Sequence, residues 1–320
     1  LQERKTFKDV ESLISFKEVA TLKPEHGTTV LQLALILDVT ALDREIIERL
    51  LPDLLTLTPN LMIFTLWVTP PISTASFAHV PLPSLEVVRT NLPHRALRPF
   101  IALRPTLRAL DISACGRTRR CALCTISIQQ VNDITCLVSC APKIVHEDVE
   151  RLRIALDDTP TLMSTAISSF PFALHRLHVL TVEYSVGDKA ILQVIAAAMP
   201  GVRNLKLLER SKQANLHSAR PWIDCAGWCA ALKKLSQLEQ LVIRTDGVLR
   251  SATGDRKGER ELFRRWVGGS QPHSTLRYIA VWQRYSDRNR GVVSEWSRED
   301  GVWGGKWTDA PTSADFAIFD

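Results

Sequence analysis

The sequence has no apolar run that is long enough to cross a membrane. Its most apolar stretch, residues 54–68, is interrupted by Pro59 and Asn60. It is also shorter than the roughly 20 apolar residues that a spanning helix needs. The first 20 residues are polar and charged, unlike the apolar segment of a secretory signal. We therefore expect an intracellular protein, cytoplasmic or nuclear, with no membrane partner.

The sequence signatures of common catalytic sites are missing as well. There is no G-x-G-x-x-G or G-x-x-x-x-G-K-[ST] phosphate loop, no G-x-S-x-G nucleophile turn and no H-E-x-x-H metal motif. Paired carboxylates such as Asp157 and Asp158 fall in a predicted turn, where Asp commonly hydrogen-bonds to the nearby backbone. We therefore expect no catalytic residues, no cofactor and no enzymatic activity. An enzyme built on an α/β sheet is the alternative.

Cysteine occurs at seven positions, an odd number that favours a reducing compartment over a set of disulfides. The spacing Cys121-x-x-Cys124 followed by Cys136-x-x-x-Cys140 resembles that of a four-thiolate zinc site. However, residues 131–140 are predicted to be helical, which places Cys136 and Cys140 on one apolar helix face. Because buried cysteine is a common core residue, we expect these pairs to be packing residues and no metal to be bound.

Negative charge is in short supply, since 40 Lys and Arg residues exceed 34 Asp and Glu residues and leave a net charge of +6. This balance favours acidic partners, which include protein, nucleic acid and membrane surfaces. Basic clusters at residues 117–120 and 284–290 are not interleaved with aromatic residues as in RNA-binding signatures. A protein target, acidic in character, is therefore the expected partner, and nucleic-acid binding is not expected.

One apolar pattern recurs along the chain: an apolar residue, two others, a second apolar residue, one other, and a third apolar residue. Clear copies start at Leu107, Leu177, Val202, Leu238 and Leu276, and weaker copies start at Val30, Leu61, Leu85 and Val149. The starts lie 22 to 42 residues apart, whereas leucine-rich repeats usually run about 20–29 residues. A tenth copy at Leu123 would divide the longest gap. Only the copy from Leu107 to Cys115 also has the Cys or Asn that is usual at the ninth position of a leucine-rich repeat. The alternative is that these apolar triplets arise by chance, as they do in buried strands of other folds.

Helical segments separate these copies. Thr40 and Asp43 form a predicted capping box, the helix that follows is expected to end at Leu51-Pro52, and a later helix is expected to stop at Pro200-Gly201. Strands that alternate with helices and connect by right-handed crossovers form a parallel sheet with the helices outside. The predicted strands are residues 31–36, 62–67, 85–90, 107–113, 150–155, 178–183, 203–208, 239–244 and 277–282. The fold class is therefore α/β, an irregular leucine-rich-repeat solenoid with a curved parallel sheet and outer helices.

The chain divides into three predicted parts. Residues 1–29 form an N-terminal cap or a remnant linker, residues 30–290 form the irregular repeat domain, and residues 291–320 form a Trp-rich C-terminal cap or tail. Five of the eight tryptophans lie between Trp266 and Trp307. A solenoid needs an end cap, so a short β-hairpin cap is one interpretation of this segment and an exposed aromatic binding patch is the other.

The repeat pattern also predicts a binding face. In each copy the second and third apolar residues point inward, so the third, fifth and seventh positions point to the concave side of the sheet. The protein-binding residues predicted in this way are Trp67, Arg89, Asp111, Arg151, Arg153, Glu183, Lys206, Arg244, Tyr278 and Trp282. Basic residues outnumber acidic ones, and the aromatic residues lie towards the ends of the row. Arg and aromatic side chains often carry interface energy, so we expect a partner segment that is acidic in its middle and has an apolar anchor. The alternative is that these are ordinary solvated strand residues.

Three short motifs and the late Trp-rich tail give the sequence a family resemblance. The motifs are Leu-Arg-Ala-Leu-Asp-Ile-Ser-Ala-Cys at residues 107–115, Cys-Ala-Pro-Lys-Ile at 140–144 and Met-Pro-Gly-Val-Arg-Asn-Leu at 199–205. From Val30 to Trp307 it resembles the C-terminal domains of F-box leucine-rich-repeat proteins, especially the divergent fungal type. The resemblance implies a substrate receptor of a cullin–RING ubiquitin ligase, with a Skp-type adaptor and a cullin as partners if an F-box lies upstream.

No F-box is visible in the sequence, because residues 1–29 are too short for a module of its size. The chain begins at Leu1 rather than Met, so we expect it to be part of a longer or processed protein. The alternative function is a stand-alone leucine-rich-repeat interaction protein with no ubiquitin role.

Overall fold

A computed structural model describes residues 3–112, 121–158, 161–210, 220–246, 256–267, 273–284, 290–299 and 302–311. The chain divides into two compact units, Leu1–Val145 and His146–Asp320. Each unit has a mixed α/β architecture in which helices alternate with the strands of a mostly parallel open sheet. Within the described residues, every helix is too short or too polar to span a bilayer.

The strands of the first unit pair in chain order, and each pair is parallel. They are β1 (Glu3–Phe7), β2 (Val30–Asp38), β3 (Ile63–Thr69), β4 (Val87–Thr90), β5 (Ala109–Ile112) and β6 (Asp133–Leu137). One register row runs across the sheet through Leu33, Phe64, Val88, Leu110 and Ile134. All five side chains are buried, so this row fixes which face of the sheet is the core.

The helices of the first unit lie between these strands. They are α1 (Val10–Leu22), α2 (Pro24–Thr28), α3 (Ala41–Leu57), α4 (His94–Ala102), a 3₁₀ helix (Ala122–Thr125) and α5 (Ala141–Ile144). The predicted capping box of α3 is confirmed, because the Thr40 hydroxyl accepts from the backbone N–H of Asp43 and the Asp43 carboxylate accepts from that of Thr40. The prediction that this helix ends at Pro52 is wrong. Leu54 and Leu55 beyond the proline are fully buried, and their packing outweighs the backbone hydrogen bond that proline removes.

The segment around residue 134 was predicted incorrectly. Residues 131–140 were expected to be helical, but Asp133–Leu137 is strand β6, with alternate side chains buried. The proposed repeat copy at Leu123 lies in the 3₁₀ helix instead of a strand. The four-residue spacing of Cys136 and Cys140 suggested one helix face. The period-two burial of Ile134, Cys136 and Val138 is the pattern that the sheet uses.

The strands of the second unit also pair in chain order. They are β7 (Arg151–Ala155), β8 (Val179–Tyr184), β9 (Asn204–Glu209), β10 (Gln240–Thr245), β11 (Tyr278–Arg284), β12 (Arg290–Glu299) and β13 (Val302–Pro311). The pairs from β7 to β11 are parallel, whereas β11–β12 and β12–β13 are antiparallel. The hairpin interpretation of the Trp-rich segment therefore agrees with the antiparallel β12–β13 pair.

The helices of the second unit are α6 (Met163–Ser168), α7 (Ile191–Ala198), a 3₁₀ helix (Pro221–Ile223), α8 (Cys225–Lys234) and α9 (Arg256–Trp266). An aromatic cluster fills much of the core, with ring centroids of neighbouring members 5.1 to 6.2 Å apart. Its members are Trp222, Trp228, Phe263, Trp266 and Trp296. Helix α8 contributes Trp228, Ala231 and Leu232 to the buried side of this unit.

Each of the nine predicted strands overlaps an observed parallel strand. Most of the predicted strand boundaries differ from the observed ones by one or two residues. The sequence pattern missed β1, whose residues Glu-Arg-Lys-Thr-Phe carry no apolar triplet, and β6. Ser113, Cys115 and the basic cluster at residues 117–120 lie outside the described residues, as do residues 312–320.

Candidate functional site

The predicted binding residues of the second unit lie on one face of its sheet. We call Arg151, Arg153, Lys206, Arg244, Tyr278 and Trp282 the basic strand face. In the central register row, Arg153 pairs with Thr181, Thr181 with Lys206, and Lys206 with Val242. Arg244 pairs with Trp282 in the next row. Because adjacent strands lie about 4.8 Å apart, a bound segment a few residues long could reach several of these side chains at once.

Solvent exposure varies across this face. Arg151, Arg153 and Arg244 are exposed, whereas Lys206, Tyr278 and Trp282 are half-buried. Val242 and Ala280, which were also expected to point to the concave side, are 3% and 1% exposed. Their expected exposure is wrong: the two are register partners of each other and lie between the long side chains of Lys206 and Glu295. The solvent-facing part of the basic strand face is therefore formed mainly by its long charged side chains.

Glu183 and Arg210 bind the backbone where a strand ends. The Glu183 carboxylate accepts a hydrogen bond from the backbone N–H of Leu156, at 3.0 Å. Arg210, at the ninth position of its repeat copy, donates to the carbonyl oxygens of Leu156 and Asp157. Glu183 was predicted as a partner-binding residue, but one of its oxygens is already occupied by this contact.

Tyr278 has a neighbour that the repeat pattern did not predict. Its hydroxyl donates to Glu295 on β12 at 2.7 Å, and Lys306 on β13 forms an ion pair with the same carboxylate at 2.9 Å. Burial, followed by the hydrogen bond to Glu295 and its charge, raises the pKa of Tyr278. Burial would raise the pKa of Glu295, but hydrogen bonds from Tyr278 and Lys306 lower it overall. Glu295 therefore stays ionised and fixes the orientation of the Tyr278 ring.

The first unit carries a smaller set of predicted binding residues. Arg89 and Asp111 are register partners on β4 and β5, so opposite charges face each other and leave no net charge there. Trp67 pairs with Ile36, and these two side chains are 37% and 49% exposed. This part of the sheet therefore combines charges of both signs with partly exposed apolar side chains, unlike the basic strand face of the second unit.

Four of the five tryptophans between Trp266 and Trp307 have described side chains, and none of these four is fully exposed. Trp266 and Trp296 are 1% and 3% exposed and belong to the aromatic core. Trp282 and Trp303 are half-buried. The interpretation of this segment as an exposed aromatic patch is therefore wrong for Trp266 and Trp296, which stabilise the fold.

Among the described residues, one group of potential metal ligands comes together, and it lies in the first unit. We call His94, Cys121 and Cys140 the Cys–His cluster. Nδ1 of His94 lies 3.0 Å from Sγ of Cys121 and 3.7 Å from Sγ of Cys140. All three residues are buried, and their ligand atoms lie within 4.8 Å of one another.

The zinc-like spacing in the sequence combines Cys121 and Cys140 with Cys124 and Cys136, and His94 is not part of it. Cys124 is exposed, and Cys136 is buried on strand β6. The helical reason for expecting no metal is therefore wrong, because Asp133–Leu137 is a strand. The pKa of Cys121 is lowered to about 4, mainly by a hydrogen bond with Cys140. Burial acts in the opposite direction, and His94 lowers the pKa further through a hydrogen bond and its charge.

Comparison with protein-family models and with curated proteins finds no match for this chain. Assignment of function therefore depends on the two sites described above.

Proposed function

We propose that this chain is a protein-binding leucine-rich-repeat scaffold that performs no chemistry. Its basic strand face would bind an acidic segment of a partner protein. The observation that carries the proposal is the position of Arg151, Arg153 and Arg244, which are exposed on one face of a parallel sheet. Solenoid proteins commonly use such a face as an extended binding surface.

The alternation of strand and helix supports the repeat interpretation. Parallel strands that pair strictly in chain order, each joined to the next by a crossover, are what stacked repeats produce. The same buried row recurs from strand to strand in the second unit, through Leu152, Leu180, Leu205, Leu241 and Ile279. These are the second positions of successive sequence copies, so the sequence pattern and the core coincide.

The charges on this face favour an acidic partner. Four basic side chains are accompanied by Glu183, which binds the backbone of Leu156, and by Glu295, which is held by Tyr278 and Lys306. Basic residues therefore outnumber acidic ones on this face, which gives a positive potential to an approaching molecule. Complementary charge increases the rate of association, and an aromatic side chain such as Trp282 supplies contact area.

The resemblance to F-box leucine-rich-repeat proteins supports a more specific role. On that role the basic strand face would hold the substrate of a cullin–RING ligase, and an F-box upstream would bind the Skp-type adaptor. The alternative is a stand-alone scaffold that binds a partner through the same face without any role in ubiquitin transfer.

Affinity capture from native cells, with the full-length protein as bait, tests the proposal and separates these two roles. Three baits are compared: the native sequence, Arg151→Glu with Arg153→Glu, and Arg264→Glu with Arg265→Glu. The control pair is exposed on helix α9 and makes the same change in net charge. We expect a set of acidic proteins that the strand variant loses and the helix variant keeps.

Equal recovery by all three baits would contradict binding at the basic strand face. Recovery of the adaptor and the cullin by every bait would favour the ligase role, because those partners would bind the F-box. Their absence, with face-dependent partners still present, would favour the stand-alone scaffold.

A further inference from the structure

The Cys–His cluster is formed where three consecutive strands end. His94 begins helix α4 after β4, Cys121 precedes the 3₁₀ helix after β5, and Cys140 precedes α5 after β6. Since β4, β5 and β6 are parallel neighbours, their carboxyl ends lie at the same edge of the sheet. Cys121 and Cys140, which follow His94 by 27 and 46 positions in the sequence, are thereby brought close to it.

The donor atoms are those that a thiophilic metal ion prefers. Imidazole nitrogen and cysteine sulfur are the usual ligands of Zn²⁺, with bonds of about 2.0–2.1 Å and about 2.3 Å. A tetrahedral ion with such bonds holds its nitrogen and sulfur ligands about 3.6 Å apart. The distance of 3.7 Å from Nδ1 of His94 to Sγ of Cys140 already fits. The distance of 3.0 Å to Cys121 would have to lengthen by about half an ångström.

Ordinary core packing explains this arrangement less well. Isolated buried cysteines act as small apolar residues, but a buried imidazole needs partners for both of its nitrogens. His94 is 1% exposed, and among the described residues its Nε2 has no hydrogen-bond partner. Its Nδ1 faces two sulfur atoms. The imidazole of His94 is therefore buried at a cost, and the only polar contacts of its ring among the described residues are those from Nδ1 to the two thiols.

We propose that His94, Cys121 and Cys140 bind a thiophilic metal ion of the Zn²⁺ class. The described residues supply these three ligands, and zinc sites with three protein ligands take a water molecule or substrate at the fourth position. Such an ion would join the crossovers that follow β4, β5 and β6. The proposal is independent of partner binding, since it uses no residue of the basic strand face.

Titration of the native-sequence protein with Co²⁺ and Zn²⁺ tests the proposal directly. The protein is reduced, stripped with a chelator and titrated with Co²⁺ at micromolar concentration. We expect a sulfur-to-cobalt charge-transfer band and the strong visible bands of tetrahedral Co²⁺. These bands should saturate near one equivalent, and Zn²⁺ should abolish them. A titration without the charge-transfer band would overturn the proposal, whatever the variants show.

Single substitutions then identify the ligands. Cys140→Ser and His94→Gln should each weaken Zn²⁺ binding at least tenfold, since the loss even of a residue behind a ligand costs tenfold or more. Cys124→Ser is the matched control, because Cys124 lies in the 3₁₀ helix that follows Cys121 but is exposed and outside the cluster. Circular dichroism shows whether each variant folds. If a ligand variant does not fold, the native-sequence titration still decides the question.

Two other results would contradict the proposal. Loss of the metal in Cys124→Ser and its retention in His94→Gln would assign the metal to the cysteine spacing alone. A Cys121–Cys140 disulfide in freshly purified protein, together with no metal binding after reduction, would identify the cluster as a thiol pair without a metal.

Discussion

At the scale of single residues, the second unit contains a buried ion pair that the sequence did not predict. The Arg220 guanidinium contacts the Glu209 carboxylate at 3.1 Å, and the two side chains are 4% and 0% exposed. Thr245 donates to the same carboxylate at 2.5 Å. Glu209 and Thr245 end strands β9 and β10, and Arg220 precedes the 3₁₀ helix Pro221–Ile223. An unpaired charge would be costly to bury here.

Arg220→Met should therefore destabilise the protein by about 3–5 kcal/mol, because it leaves the Glu209 charge buried without its partner. Arg176→Met is the control, since Arg176 contacts Asp148 at 2.7 Å on the surface and should cost less than about 1 kcal/mol. Equilibrium urea unfolding measures both changes. Similar small losses in the two variants would show that the buried pair does not stabilise the fold.

His273 is expected to make stability depend on pH. It is 4% exposed, and its ring bonds to the carbonyl oxygen of Leu232 and to the backbone N–H of Leu276. Burial is the main cause that lowers its pKa from 6.5, and the positive charges of Arg298 and Lys233 add to it. The unfolded chain then takes up the proton first, so the contribution of His273 is present above pH 6.5 and is lost as the pH falls below it.

The free energy of unfolding, measured from pH 7.5 to 5, should thus fall less steeply in His273→Gln than in the native sequence, at least in the region below about 6.5. Gln offers both a donor and an acceptor for the same backbone groups. His178→Gln, at an exposed histidine, should leave the slope unchanged. A slope that His273→Gln does not alter would contradict this account.

At the scale of the elements, the apolar triplets predicted the parallel strands because those triplets are the core. Leu180 and Val182 on β8, for example, are fully buried, so their spacing is visible in the sequence. Strand β1 could not be found in this way, because it pairs with β2 through its backbone while its side chains are largely charged. Strand β6 was missed because the spacing of Cys136 and Cys140 also fits a helix.

The candidate sites differ in how far the sequence could predict them. The basic strand face follows from the alternation of strand residues, and the register places its side chains on one face as expected. The Cys–His cluster depends on which strands are neighbours. The zinc-like spacing involves only cysteines that are close together in the chain. His94 reaches the cluster from the crossover that follows a different strand.

Helix α7 ends at Ala198, just before the predicted stop at Pro200-Gly201, and the glycine there lies close to the backbone of another segment. A Cβ atom at Gly201 would overlap the backbone carbonyl oxygen of His175, whereas one at Gly187 would have no atom within 4 Å. Gly201→Ala should therefore destabilise the protein by about 1–3 kcal/mol, because the backbone must shift. Gly187→Ala should change stability by less than about 0.5 kcal/mol. Thermal unfolding of both variants measures the difference in stability. Equal destabilisation in the two variants would contradict a steric requirement for glycine at residue 201.

At the scale of the whole molecule, the two proposals are assigned to different compact units. The Cys–His cluster belongs to Leu1–Val145, and the basic strand face belongs to His146–Asp320. A failure of metal binding would leave the scaffold proposal intact, and a failure of partner binding would leave the metal proposal intact. The net charge of +6 over the whole chain should speed encounter with any acidic partner, but it does not select a face.

The most direct test of the scaffold proposal is the salt dependence of partner binding. Association of a captured partner is measured at several salt concentrations with the native sequence, with Arg151→Glu and Arg153→Glu, and with Arg264→Glu and Arg265→Glu. We expect slower association and a weaker salt dependence for the strand variant, because charges at a binding face mainly govern the association rate. The helix variant should behave like the native sequence. A strand variant with native affinity and native salt dependence would contradict binding at the basic strand face.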